Sequence, residues 1–255
     1  MRDFTNLQWP EAPFGADQRP FGRRSPMLAA FALDWASPED AGPIPVAAAT
    51  VYLRVRRHGQ QDVSDDGLSI GFRAVVIEDF ADVPHLLALT DRALVRARRH
   101  AAIVAGHDLD TDLSRMAELA PAPLRGVAGA RAAWADRAVR ERGVALMVDT
   151  AAEARDTGSE LNVSLEPRTL AAPPEPFCRA AVARAVLARC LAIGLTAAVY
   201  AGRYRWEGTF RVTDAIDRAA WDLLSADRAG DKSADRAGTS AGPGSHATTQ
   251  VPLAS

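Results

Sequence analysis

The sequence predicts an α/β domain on a mixed five-stranded sheet, in which a three-strand antiparallel meander is followed by alternating helices and strands. Three observations carry this. "MLAAFALDWA" (27–36), "VAAATVYLRVRR" (46–57) and "LSIGFRAVVIED" (68–79) are successive strand-like runs, the last two separated by the turn chemistry of "QQDVSDDG". At Val83 the apolar period changes to the helical one, with Leu86, Leu87, Leu89, Leu94 and Val95 on one stripe. Beyond it, the short apolar runs "AAIVAG" and "VALMVDT" alternate with helical stretches. The order β-β-β-α-β-α-α-β-α requires a mixed sheet with helices on its faces.

Each element has its own warrant. The run 27–36 is continuously apolar up to Asp34 and reads as a buried strand. The next alternates Val51, Leu53 and Val55 against Tyr52, Arg54 and Arg56, which predicts a half-exposed strand. The helix over 83–100 ends in "RARRH", cations that suit a helix C-terminus. "DLDTDLSRMAEL" (108–119) opens a helix with Asp in its first turn, Asp108 reading as the cap. "GARAAWADRAVRERG" is a helix closed by Gly143, and "FCRAAVARAVLARCLAIGLTAAVYAG" a long buried one closed by Gly202. A last short helix is expected from a cap at Thr213 or Asp214 through Trp221. Trp134, Trp206 and Trp221, at helical or turn positions, read as core in preference to base-stacking platforms.

These elements place one domain over residues 26–225. Residues 1–25 are rich in Pro, Gly and aromatics without a period, and read as an extended arm docked through Trp9 and Phe14. Residues 226–255 lose their apolar residues, repeat "SADRAG", and read as a disordered low-complexity tail. The motif "GTSAG" in that tail matches a hydrolase nucleophile elbow, but no strand precedes it and no helix follows.

Composition excludes several classes. The formal charge is −2, so no global field draws the chain to nucleic acid or to anionic membrane. Of its basic residues only Lys232 is lysine; the rest are arginine, the better partner for bidentate phosphate contacts. Two clusters, Arg54, Arg56 and Arg57 on a strand and "LVRARRH" at a helix end, read first as a solvated face, and would form a phosphate-contacting patch if they met on one surface. Cys178 and Cys190 are too few and too isolated for a structural zinc site and are expected as reduced thiols. The N-terminus lacks a signal peptide's pattern, and the uninterrupted apolar runs fall short of the roughly 20 residues of a membrane span. A cytoplasmic protein is expected.

The densest chemistry is "AGHDLDTDL" (105–113). Asp108 and Asp110 read first as capping and solvated acids, and Asp112 stands evenly between that role and a metal ligand. An EF-hand is excluded because Leu113 stands where its loop needs Gly and Leu119 where it needs Glu. Asp34 reads either as a strand-end turn residue or as a ligand, Asp149 as a cap, and His107 as a structural residue bonded to backbone.

Taken in order, "FALDWAS", "GHDLDTDL", "VALMVDT", "LNVSLEPRTL" and "RAAVARA" resemble the motifs of the DEDD 3′–5′ exonucleases, which have the RNase H-like fold. In that family four carboxylates in three motifs hold two divalent metals about 4 Å apart, which stabilise the attacking and leaving oxygens. The resemblance implies that Asp34 is the first acid, with Ala36 in place of the second and Ser37 in place of a Thr. His107 keeps its position, Asp108 replaces an Asn, and Asp112 takes the third acid's place. Ala181 and Ala185 are retained, whereas Arg179 replaces a His and Arg184 the last Asp. An active protein would hold Mg²⁺ or Mn²⁺ on Asp34 and Asp112 and use His107 as base. With Ala36 and Arg184 present, the implied function is an impaired exonuclease-like, nucleic-acid-associated protein. Its partners would be single-stranded nucleic acid or nucleotide, with Arg184 and Arg179 contacting phosphate or Arg184 pairing with Asp34 or Asp112. The alternative is a non-catalytic protein-interaction or nucleotide-binding module on the same fold. A small-molecule enzyme using the acidic cluster is a third class.

Overall fold

The structure is a computed structural model that describes residues 1–7, 26–39, 42–136, 145–154, 161–220 and 222–224. Trp9, Phe14, Gly143, Trp221 and the tail lie outside the described residues. The chain is mixed α/β, with one seven-stranded mixed sheet at its centre. The meander is β2 (Met27–Ala36), β3 (Ile44–Arg54) and β5 (Ile70–Val76), all antiparallel. On the other side of β2 lie β6 (Ile103–Gly106) and β7 (Leu146–Asp149), both parallel to it. With β1 (Arg2–Thr5) at one edge, the spatial order is β1-β5-β3-β2-β6-β7.

Two strands exceed the five expected. Residues read as an arm form β1 (Arg2–Thr5), antiparallel to β5 at the sheet edge. Asn6 then makes strand-like exchanges through its side chain, donating to the Ile70 carbonyl and accepting from the Phe72 N–H. The second extra strand, β8 (Thr169–Leu170), lies parallel to the end of β2. Both are too short to leave a period in the sequence. A separate two-stranded ladder joins β4 (Gln61–Asp62) to β9 (Tyr204–Arg205).

Helices cover both faces. α1 (Val83–His100), α2 (Leu109–Leu119) and α3 (Arg125–Ala135) pack on the face that carries Met27, Ala29, Phe31, Leu33 and Trp35 of β2. The other face carries Leu28, Ala30 and Ala32 and meets α5 (Arg179–Tyr200). A last helix, α6 (212–220), adds Val212, Ile216 and Ala220 to that layer. It begins before the cap expected at Thr213 or Asp214. The short α4 (Thr150–Glu153) follows β7 directly.

Two-sided cover corrects the reading of β3 as half exposed. Tyr52 is buried under α1, and only Arg54, at the strand end, is exposed. The alternation is real, but its polar phase ends after one residue and Tyr52 has a helix above it. The helix from Pro176 to Tyr200 is long and apolar enough to cross a membrane by length and composition, unlike the uninterrupted runs considered from sequence, and 83% of its apolar window is buried. Small residues let it lie close to the sheet. A Cβ on Gly194 would come within 3.3 Å of Ala30 and 3.2 Å of Leu53.

Candidate functional site

The acids singled out from sequence gather at the carboxyl ends of β2, β6 and β7, the edge where open α/β sheets bind ligands. Asp34 shares the face of Leu28, Ala30 and Ala32 and so points toward α5. There Arg189 meets it, with Nη2 2.8 Å from Asp34 Oδ1 and both side chains buried. The same guanidinium donates to the Leu33 carbonyl, and the Arg168 N–H donates to Asp34 Oδ1 at 3.1 Å. Asp34 Oδ2 and Arg189 Nε have no hydrogen-bond partner among the described residues. Burial raises the Asp34 pKa, and the field of Arg189 opposes that rise.

Trp35, the next residue of β2, alternates to the opposite face. The Trp35 indole N–H donates to Asp112 Oδ1 at 2.9 Å, and the Arg115 guanidinium lies 5.4 Å from the Trp35 ring centroid. Asp112, in the first turn of α2, is buried. Desolvation pushes its carboxyl up to about 7; the indole hydrogen bond and the fields of Arg189 and Arg115 pull the other way. Asp34 and Asp112 thus belong to one cluster, linked through adjacent residues of β2 and through Arg189.

His107 is engaged at both ring nitrogens. Thr150 donates its hydroxyl to the Gly106 carbonyl, so its oxygen accepts from His107 Nδ1 at 3.0 Å. His107 Nε2 lies 3.1 Å from Glu166 Oε1. The histidine ties β6, α4 and the 161–168 segment together through side chains, not through the backbone contact expected. Asp149 caps α4 by accepting from the Ala151 N–H, and also accepts from the Asp108 N–H. Asp108 occupies the N-cap position of α2, but its side chain makes no cap hydrogen bond to the backbone. It has a left-handed backbone (φ 50°), and its carboxylate accepts from the Thr111 hydroxyl. Asp110 is exposed and faces Arg131 at 3.7 Å.

The two arginines of the last motif do not reach the acids. Arg184 makes a bidentate pair with Asp217 of α6, not with Asp34 or Asp112. Arg179 pairs with Glu78 at 3.4 Å. The cation that reaches the acids is Arg189, one and a half helical turns after Arg184. The sequence did hold a signal for it: in "AVLARCLAIGL" it is the only charge in an apolar stretch, and a buried arginine needs a partner. Nothing marked Trp35 as the donor to Asp112, because the pair joins positions 77 residues apart.

This donor set does not fit a divalent metal. One carboxylate is held by a guanidinium that cannot lose its proton, and the other accepts from an indole. No group of three His, Cys, Asp or Glu side chains suited to a metal occurs among the described residues. Compared with family models, curated proteins and solved structures, the chain matches none.

Proposed function

We propose that this chain is a 3′–5′ exonuclease-like, nucleic-acid-associated domain on an RNase H-like fold that no longer hydrolyses phosphodiesters. The observation that carries this reading is the buried Arg189–Asp34 pair beside Asp112. It puts a fixed positive charge against the first acid of the resemblance, where a metal ion would be repelled. The fold assignment draws support from the strand order: an antiparallel meander extended beyond its first strand by two successive parallel strands reached through helices. The near-complete burial of Asp34, Asp112 and Arg189 also keeps a terminal phosphodiester from reaching them.

The test is a nuclease assay on labelled single-stranded DNA and RNA with Mg²⁺ or Mn²⁺. The expected result is no degradation by pure protein. Degradation that disappears in both Asp34→Asn and Asp112→Asn would overturn the reading. The protein-interaction alternative has one observation in its favour, the 72% exposure of Phe177, two residues from the Arg179–Glu78 pair.

A further inference from the structure

The amino-terminal end of β2, opposite the acids, carries a second polar cluster. Met27 pairs with Arg54 across the meander, and its carbonyl accepts from the Ala102 N–H just beyond α1. The end of β3 and the basic end of α1 therefore share one end of the sheet. Arg54, Arg56 and Arg57 are exposed and line a cleft of about 580 Å³ together with Gln61, Ser64, Ser69 and Tyr204. Among the described residues, no carboxylate makes an ion pair with these three arginines. The aspartate in the cleft, Asp62, is held by Arg205.

The turn that bears the arginines is fixed before any ligand arrives. Tyr204 donates its hydroxyl to the Arg54 carbonyl at 2.6 Å, Arg203 donates to the Arg57 carbonyl at 3.0 Å, and the Val55 N–H donates to Pro26. A second cleft of about 430 Å³ adjoins the first and shares Asp62, Val63 and Ser64 with it. Its wall is Trp206, half-buried and tilted against Phe210 with centroids 5.4 Å apart. Asp65, Glu207 and Thr209 stand around it.

We propose that these adjoining clefts bind a nucleotide unit, free or at the end of a single strand. The phosphate lies on Arg54, Arg56 and Arg57, and the base lies against Trp206. Guanidinium groups match phosphate geometry, and an aromatic face accepts any base. Asp65 and Glu207 suit the exocyclic amines of a base and disfavour an anionic bilayer. This deepens the nucleic-acid association proposed above and is independent of the loss of hydrolysis.

The experiment is an anisotropy titration of a labelled single strand of about ten nucleotides, with AMP and inorganic phosphate as competitors. Three phosphate contacts predict a salt slope of about −2 in log K against log salt. The variant R54E/R56E/R57E should bind at least about tenfold more weakly, and Trp206→Ala about five- to tenfold more weakly. Competition by AMP but not phosphate marks a free-nucleotide site, and binding of the strand alone marks a strand end; either supports the proposal. If the charge-reversed protein does not fold, R56Q/R57Q with an unchanged thermal midpoint takes its place. Full binding by a folded variant overturns the site and leaves the association standing. Absence of binding to strand and AMP alike at about 50 mM salt overturns both.

Discussion

Arg189 decides the character of the acidic end at the scale of single residues. A buried ion pair adds little net stability, but removing one partner leaves an uncompensated charge. Asp34→Ala should therefore lower unfolding free energy by about 3–5 kcal/mol, measured by urea denaturation, whereas the double change D34L/R189M should recover most of that loss. If Asp34→Ala unfolds at the wild-type midpoint, the pair is not formed. Asp112 makes a pH prediction. Its folded-state pKa is raised to about 7, so between its ordinary unfolded value and 7 the unfolded chain releases a proton that the folded chain keeps. Unfolding is then favoured as pH rises through that window, and the effect is complete above it. Asp34, also raised, acts in the same direction. Thermal midpoints of wild type should fall from pH 4 to 7 relative to Asp112→Asn, which cannot titrate and can still accept from Trp35. Parallel profiles would exclude a neutral buried Asp112.

Helix contacts at the scale of elements depend on missing side chains. α3 crosses α1 so closely that a Cβ on Gly126 would sit 2.1 Å from the Asp91 carbonyl oxygen. The Asp91 side chain meanwhile accepts from the Val127 N–H at 2.8 Å, satisfying a donor in the first turn of α3 that its own cap leaves free. Gly126→Ala must push the helices apart and should cost about 1–3 kcal/mol in thermal or chemical unfolding. Gly129→Ala is the internal comparison. Its new methyl would meet only the guanidinium end of Arg98, which can swing aside, so its cost should be clearly smaller. Equal costs would mean that the crossing is not limited by the backbone at Gly126.

Across the whole molecule, a net charge of −2 conceals how the polar groups are sorted between the two ends of the sheet. Asp34, Asp112 and Asp149 gather at one end of β2, and Arg54, Arg56 and Arg57 at the other. Neither end is visible in the sum. The sheet itself is closed at one edge by β1, with Phe4 in the core and Arg73 paired with Asp3. Deleting residues 1–7 should expose the unpaired edge of β5, lower the thermal midpoint and cause concentration-dependent association in sedimentation or light scattering. A deletion variant that stays monomeric at the wild-type midpoint would show that β1 is dispensable.

Periodicity and turn chemistry alone determined the α/β class, the meander, the change to helices at Val83 and the long helix ending near Gly202, because these depend on neighbours within a few residues. They also located Asp34, Asp112, His107 and Asp149, since strand ends and helix starts fall where polar residues interrupt apolar runs. Tertiary structure alone decided which charges meet. Arg189 stands alone in its apolar stretch, but only helical phase sends it to Asp34 on β2 and Arg184 to Asp217 on α6. The burial of Tyr52, the joining of β1 to β5 and the Trp35–Asp112 bond are likewise set by elements far apart in the chain. Such contacts leave no local pattern, because what fixes them is packing across the sheet.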